Sequence, residues 1–277
     1  MRKEKTPSSR AARIAFIGGG RMAEALIKGL LRSKKVKPSG IMVSDILPER
    51  LKYLKNNFGV QVSGKNQESA NFGDTIILSV KPHIMKEGIK DLKISPDKII
   101  ISIAAGIPLS FLQNIFTANP IVRVMPNNPA LIGEGMAGIA YGKSVKDKDK
   151  AKTKGIFSSV GEIAEVEEKL LDAVTGLSGS GPAFVYLFIE AMIEAGENLG
   201  LKKEVAQKLA VQTVLGAAET IKKTKKPTQE LISMVTSPGG TTLAGLAVLD
   251  NRGFKQALID AITKAAARAK EISQEWN

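Results

Sequence analysis

Cysteine is absent from the 277 residues. That excludes disulfides, thiolate nucleophiles and zinc–thiolate sites, and it fits a reducing compartment, so a cytoplasmic location is expected. Histidine occurs once, at His83. It lies just past Pro82 on a helix flank, a poor place for a general acid, and no metal site is expected. Aromatic residues are scarce, with three tyrosines and one tryptophan, so base-stacking platforms for single strands are lacking. No run of about 18 uninterrupted apolar residues occurs, and no membrane span is expected. Acidic residues are outnumbered, 27 against 40 basic ones, for a net charge of +13. The lysines are scattered or sit in surface segments such as KSVKDKDKAKTK (143–154) and KKTKK (222–226). Such a field favours small anionic ligands; neither a nucleic-acid nor a membrane partner is expected. The opening MRKEKTPSSRAAR has no apolar core and is no secretory signal; residues 1–12 read as a disordered basic tail.

What is present points to two domains. IAFI (14–17), IMVSD (41–45), TIILSV (75–80), KIIISIAAG (98–106), IVRVMPN (121–127) and GIAYG (138–142) are strand candidates, with EIAEVEE (162–168) as one last strand. They alternate with helical segments, which predicts a parallel sheet covered on both faces. From 169 to 277 the pattern is helical only. The boundary is set near Glu168, giving domains 13–168 and 169–277. The segment PAFVYLFIEAMIEAGENLG (182–200) begins with Pro182 in a first-turn position and is apolar on most faces over its first half. Such a helix needs burial all round, and in a bundle of this size a second subunit is the expected cover.

After IAFI comes Gly18-Gly19-Gly20-Arg21-Met22-Ala23, then a helix. This is G-x-G-x-x-A in the strand–turn–helix setting of a Rossmann-type dinucleotide-binding domain. Gly18 permits the tight turn, Gly20 lets the backbone approach a pyrophosphate, and Ala23 lets helix and strand pack closely. Asp45 ends the second strand, where a carboxylate either accepts from a ribose 2′-OH or caps the helix that starts at Pro48; Arg50 is near enough to offset its charge. SVKP (79–82), SIAAG (102–106) and RVMPNNPA (123–130) end strands three, four and five, so they face the same crevice; Lys81 is either a nucleotide contact or a surface lysine, and its position before Pro82 favours the contact. GLSGSGPAF (176–184) is read chiefly as a packing turn between helices.

The order GGGRMAEALIKGLL, SVKP, SIAAG, RVMPNNPAL, GLSGSGPAF and SPGGTT resembles the pyrroline-5-carboxylate reductase family, from about residue 13 onward. The resemblance implies reduction of the cyclic imine 1-pyrroline-5-carboxylate to L-proline, the last step of proline biosynthesis, with NADPH or NADH. It implies a homodimer through the helical domain, and in many members a pentamer of dimers. Carried over by motif, the cofactor contacts are Gly18, Gly20, Arg21, Met22, Ala23, Ser44, Asn66, Val80, Lys81, Pro82, Ala104, Ala105 and Gly106, to which Asp45 is added from its place at the end of the second strand; Glu168 matches a glutamate near the active site. Two departures concern the cofactor. Asp45 stands where the family often has Ser, Thr, Asn or an Arg-type residue, which leaves NADPH or NADH open. Arg21 replaces a common asparagine and adds charge toward the pyrophosphate.

The substrate implied has a carboxylate and a C=N bond. In SPGGTT (237–242), Gly239 and Gly240 expose backbone N–H groups, a helix starting near Thr241 adds its positive end, and Ser237 and Thr241 add hydroxyls, which suits a carboxylate. The family assigns the ring-nitrogen contact to the residue matching Thr242. A basic imine nitrogen can arrive protonated, so positioning carries much of the rate and no acid is required. Three rivals are a β-hydroxyacid dehydrogenase, a nucleotide sensor without catalysis, and a reductase of a six-membered cyclic imine. The first needs a lysine on the long helix after the boundary, and FVYLFIEAMIEAGENLG contains none. The second has no use for SPGGTT.

Overall fold

The structure is a computed structural model that describes residues 12–276. The tail expected over residues 1–12 therefore lies outside the described residues, save Ala12. By compactness the chain forms two units, Met1–Gly179 with Ala265–Asn277, and Ser180–Lys264. The boundary expected at Glu168 differs from this division. The physical reason is that the segment after Glu168 packs on the sheet: Leu171 is buried, and a Cβ at Gly138 would sit 2.7 Å from Val174 Cγ1.

The first unit alternates strands and helices: β1 (Ile14–Ile17), α1 (Arg21–Arg32), β2 (Ile41–Ser44), α2 (Pro48–Phe58), β3 (Gln61–Ser63), α3 (Asn66–Phe72), β4 (Thr75–Leu78), α4 (Met85–Ile89), β5 (Ile99–Ser102), α5 (Leu109–Ile115), β6 (Ile121–Pro126), β7 (Gly135–Tyr141), α6 (Asp147–Phe157), β8 (Gly161–Glu165) and α7 (Leu171–Val174). The described strands form one eight-stranded sheet in the order β3-β2-β1-β4-β5-β6-β7-β8. β7 runs antiparallel to β6, and β8 parallel to β7. This corrects the all-parallel expectation. Between β6 and β7 lies only a short turn with a 3₁₀ segment at Asn128–Ile132, and a parallel return needs a crossover of about a dozen residues or more. β3 carries no sequence signal, since its three residues are polar or only half-buried. The fourth strand also ends earlier than expected, at Ser102, because residues 103–108 turn out of the sheet.

Strand alternation builds the two cores. Ile14 and Phe16 of β1 join the cluster on one face; Ala15 and Ile17 join the cluster on the other. α1 lays Ala23, Leu26, Ile27 and Leu30 on the first face, a helical stripe at i, i+3, i+4, i+7. Met85 and Ile89 of α4 and Leu109 and Leu112 of α5 cover the second. Burying each such large side chain fully contributes about 1.5–3 kcal/mol.

The second unit holds α8 (Gly181–Asn198), α9 (Lys203–Thr224), α10 (Thr228–Met234), α11 (Thr241–Asn251) and the first part of α12 (Phe254–Gln274). α8 and α9 form a close hairpin, in which a Cβ on Gly196 would meet Ala206 Cβ at 2.9 Å. Among its described residues only Ala206 and Ala210 are buried. Val185, Tyr186, Leu187 and Phe188 form an exposed run, and Leu187 keeps 65% of its surface. Phe184, Leu187, Phe188, Phe254 and Leu258 line an apolar groove of about 550 Å³. One helical stretch, Glu168–Asn198, also has the length and apolarity of a membrane span, with a mean hydropathy of 1.3, which uninterrupted-run counting misses. A bundle this poor in core needs its apolar face covered. Leu187→Asp would be harmless on a true monomer surface. It is expected instead to lower the assembly mass in sedimentation equilibrium and to lower the melting temperature; an unchanged mass would show that Leu187 lies outside any subunit interface.

Candidate active site

The cleft opens at the carboxyl ends of β1, β2, β4 and β5, where the strand order reverses between β1 and β4. Ligands of open α/β sheets bind at such a switch point. Its floor is the turn after β1. Gly18 has φ +99°, and a Cβ there would lie 2.9 Å from the carbonyl carbon and oxygen of Ser79. Only glycine fits, because the φ lies in the left-handed region and the neighbour is backbone. Gly18 N–H donates to Ser44 O at 2.8 Å, and the Ser79 hydroxyl donates to Gly18 O at 2.6 Å.

Gly19 is held from both sides. Its N–H donates to Asp45 Oδ2 at 2.7 Å, and its carbonyl accepts from Arg50 Nε. Arg50 Nη2 also reaches Gly20 O at 3.3 Å and Glu24 Oε2 at 2.5 Å. Tyr53 donates its hydroxyl to Glu24 Oε1 at 3.0 Å, and that bond holds its pKa above the ordinary phenol value. Gly20 is different: nothing lies within 4 Å of a Cβ built on it. It is the extended residue before α1, whose first intrahelical bond is Glu24 N–H to Gly20 O at 3.0 Å. The N–H groups of Arg21, Met22 and Ala23 have no helical acceptor. An open glycine followed by free amides is a cradle for an anion, and it fits the pyrophosphate of a dinucleotide.

Two lobes flank this turn. One, of about 430 Å³, is lined by Asp45, Ile46, Asn66, Ile84, Glu87 and Gly88. The other, of about 560 Å³, is lined by Arg21, Met22, Pro82, Ile103, Ala104, Ala105, Asn128 and Leu131. Gly20, Ser79, Val80 and Lys81 border both. A cleft with two lobes joined at an anion cradle has the form that two nucleotides joined by a pyrophosphate require.

Of the residues expected from sequence, Gly18, Gly20, Arg21, Met22, Asp45, Asn66, Val80, Lys81, Pro82, Ala104 and Ala105 come together here. Asn66 donates to Gly88 O at 3.0 Å, which fixes its amide at the rim. Four others are used differently. Ala23 is fully buried in helix–strand packing. Ser44 is buried, and its hydroxyl donates to Phe16 O at 3.3 Å, so only its backbone borders the lobe. Gly106 has φ +78°, and a Cβ there would be 2.5 Å from Ile272 Cγ2; it is a close-packing point for the end of α12. Glu168 Oε1 accepts from Arg123 Nη1 at 2.6 Å and from Leu109 N–H at 2.7 Å. It binds β6 to the start of α5 and leaves the cleft. The capping alternative for Asp45 also falls: α2 is preceded by Leu47 with no side-chain cap, and Asp45 Oδ1 accepts from Leu47 N–H at 3.0 Å in a local turn. Ile103, Asn128 and Leu131 belong to SIAAG and RVMPNNPAL without being singled out by them; Ile46, Ile84, Glu87 and Gly88 lie outside the motifs, and their nearness to Asp45 and SVKP is the only signal.

In the second unit, SPGGTT has the order of a type II turn, with Pro238 followed by Gly239 at φ +70° and Gly240 N–H donating to Ser237 O at 2.9 Å. Gly240 is the extended residue before α11, and a Cβ on it would lie 2.5 Å from Ser237 Oγ. Helical bonding in α11 starts at Ala244 N–H to Gly240 O, so the N–H groups of Thr241, Thr242 and Leu243 are free of helical acceptors. Among the described residues, nothing takes up the hydroxyls of Ser237, Thr241 and Thr242. The GLSGSG turn is a packing element: its π-helical Thr175–Gly179 is held by Asn127 Nδ2 donating to Ser178 O at 3.2 Å, and Gly179 packs close to the Met125 side chain, whose Cε would sit 2.7 Å from a Cβ there.

A Rossmann-type unit with this cleft, followed by a helical unit, defines a nicotinamide-dinucleotide-dependent oxidoreductase. Residues 13–106 match a family described as NADP oxidoreductase, coenzyme F420-dependent, and residues 168–272 match pyrroline-5-carboxylate reductase dimerisation. The chain is 45% identical to the pyrroline-5-carboxylate reductase of Synechocystis, over 95% of this chain and 98% of that one. The pyrroline carboxylate reductase of Plasmodium falciparum, solved with NADP bound, superposes with a TM-score of 0.86 at 35% identity, covering 95% of this chain and 98% of that one. For the Coxiella burnetii enzyme the values are 0.88, 36%, 95% and 99%. The chain belongs to the pyrroline-5-carboxylate reductase family. The dimerisation match spans α8 and its exposed face.

Gly20→Val separates binding from folding. The side chain has room, so unfolding free energy is expected to stay within about 1 kcal/mol of the parent, while dinucleotide affinity falls at least about tenfold by titration. Unchanged affinity would remove Gly20 from the site. Glu168→Ala reverses the pattern. Arg123, with 8% of its side chain exposed, is left unpaired, and stability is expected to fall by about 2 kcal/mol, less than for a fully buried pair because Glu168 is one-third exposed. Chemical denaturation tests this; lost cofactor affinity with stability intact would return Glu168 to the cofactor site.

Proposed function

We propose that the chain reduces the C=N bond of 1-pyrroline-5-carboxylate to give L-proline, using NADPH or NADH. The observation that carries this is family membership over nearly the whole chain, with both glycine turns present in the helix-start setting their chemistry needs. The first turn would hold the cofactor: Gly20 and the free amides of α1 take the pyrophosphate, the lobe with Asp45 and Asn66 takes adenosine, and the lobe with Ala104 and Ala105 takes the nicotinamide riboside. When bound, the cofactor supplies a hydride to the imine carbon.

The chain's own part is to hold and orient. Amides of Gly239, Gly240 and Thr241, with the Ser237 and Thr241 hydroxyls, would receive the substrate carboxylate. Thr242, half-buried and with its hydroxyl uncommitted, would contact the ring nitrogen. An imine nitrogen that binds protonated needs no further proton: a new C–H bond forms, the π pair becomes the nitrogen lone pair, and the product is a secondary amine. Catalysis of this kind rests on alignment, which can supply about 7–11 kcal/mol of the barrier.

The assembly consistent with the dimerisation match and the thinly covered bundle is a homodimer, with a pentamer of dimers as its higher form. The partners in this reading are the small imino acid and a second copy of the chain, with no nucleic acid or membrane and a cytoplasmic setting. Thr242→Ala is expected to lower turnover by about 10²-fold, the scale of losing one positioned donor, while both cofactor dissociation constants stay within about twofold. Loss of cofactor affinity instead would overturn the role of Thr242. The reaction itself is tested by reduction of the imine and by oxidation of L-proline at high pH with each cofactor; no signal in either direction would overturn it.

A further inference from the structure

The carboxylate at the end of β2 cannot move aside. Asp45 accepts Gly19 N–H on one oxygen and Leu47 N–H on the other. Rotating it away would give up both bonds, leave the part-buried Gly19 amide without its acceptor and loosen the glycine turn. It is half-buried and borders the adenosine lobe, whose rim also carries Glu87, paired with Lys90 at 2.6 Å.

Among the described residues, Arg50 and Lys65 beside this charge are held by other groups. Arg50 donates to the carbonyls of Gly19 and Gly20 and pairs with Glu24; the two side chains are only 22% and 23% exposed. Its guanidinium also lies 4.9 Å from the Tyr53 ring centroid. Lys65, beside Asn66, pairs with Glu68 at 3.5 Å. Lys81 borders both lobes, at the waist where the pyrophosphate would lie. A ribose 2′-hydroxyl can donate to Asp45, whereas a 2′-phosphate would meet its fixed carboxylate while Arg50, Lys65 and Lys90 are each paired with a glutamate and Lys81 is left to serve the waist.

We propose that this chain selects NADH over NADPH, with Asp45 fixed by the Gly19 and Leu47 amides as the discriminating group and Arg50 withheld from the lobe by Glu24. This rests on the cofactor site of the proposed function. It is a property of this chain's own residues, since the Plasmodium relative was solved with NADP bound.

The test is calorimetric titration of the full chain with NADH and with NADPH, without substrate. The parent protein should bind NADH at least about tenfold more tightly, the effect of one unfavourable charge contact. Asp45→Ser should move the ratio toward NADPH by a similar factor. Glu24→Ala leaves Asp45 and its two amide bonds in place and frees Arg50; it should move the ratio toward NADPH about fivefold, less than the full charge effect, and adding Arg50→Met should cancel that gain. If Asp45→Ser does not fold, Glu24→Ala and its double variant decide. Equal or tighter NADPH binding by the parent, or ratios that stay put in the variants, would overturn the proposal. A protein that prefers NADH yet fails to reduce the imine would overturn the substrate assignment alone, and failure to bind either dinucleotide would overturn both.

Discussion

The close approach of Gly18 to the backbone of Ser79 is the contact on which the rest of the cleft depends. A Cβ there would overlap a carbonyl group, and the hydroxyl of Ser79 closes the gap by donating back to Gly18 O. This seals the turn after β1 onto the end of β4, at the place where the sheet changes direction. Because the turn is anchored from below, Gly20 can stay open above, and the amides of α1 can stay free. Both lobes then share the same edge, formed by Ser79, Val80 and Lys81. Had a side chain stood at residue 18, the turn would lift from the sheet and the lobes would lose that common waist.

The two units solve different problems. The first has complete cores on both sheet faces, and its irregular turns sit on a rigid base. The second has two buried alanines and a broad apolar surface. Its stability therefore depends on what covers it, and for a self-associating bundle that makes stability a function of protein concentration. A turn such as SPGGTT, set between helices of that bundle, inherits the same dependence.

Much of this was legible in the sequence. The order of the strands other than β3, the glycine turn after β1 and the helix start at Thr241 all follow from residue types with strong local rules: glycine for tight turns, proline for first turns, and β-branched runs for buried strands. The all-round apolarity of α8 also shows in its residues. What the sequence hid depends on distance in the chain. Gly106 belongs to a motif that elsewhere lines a cofactor, yet here it faces Ile272. Glu168 carries no local sign of its bond to Arg123. Ser44 and Ala23 are motif positions whose side chains turn into packing. Nor does residue spacing reveal that Asp45 spends its oxygens on Gly19 and Leu47. The reversal of β7 was readable in principle from the short connection before it, because loop length limits direction.

α12 starts among the helices of the second unit and ends on the first. There Ile272 abuts Gly106, Trp276 stacks edge-on against Phe111 with centroids 4.8 Å apart, and Ser273 bonds Asp172. The nucleotide-binding unit is thus discontinuous in the chain, and Trp276, from beyond the helical bundle in sequence, packs against one of its cores. During synthesis, the sheet can assemble long before its covering is complete. The apolar patch around Phe111 must wait through the whole helical bundle for its partner. Until residues 265–276 emerge, the nascent chain carries an uncovered patch around Phe111 as well as the apolar face of the bundle.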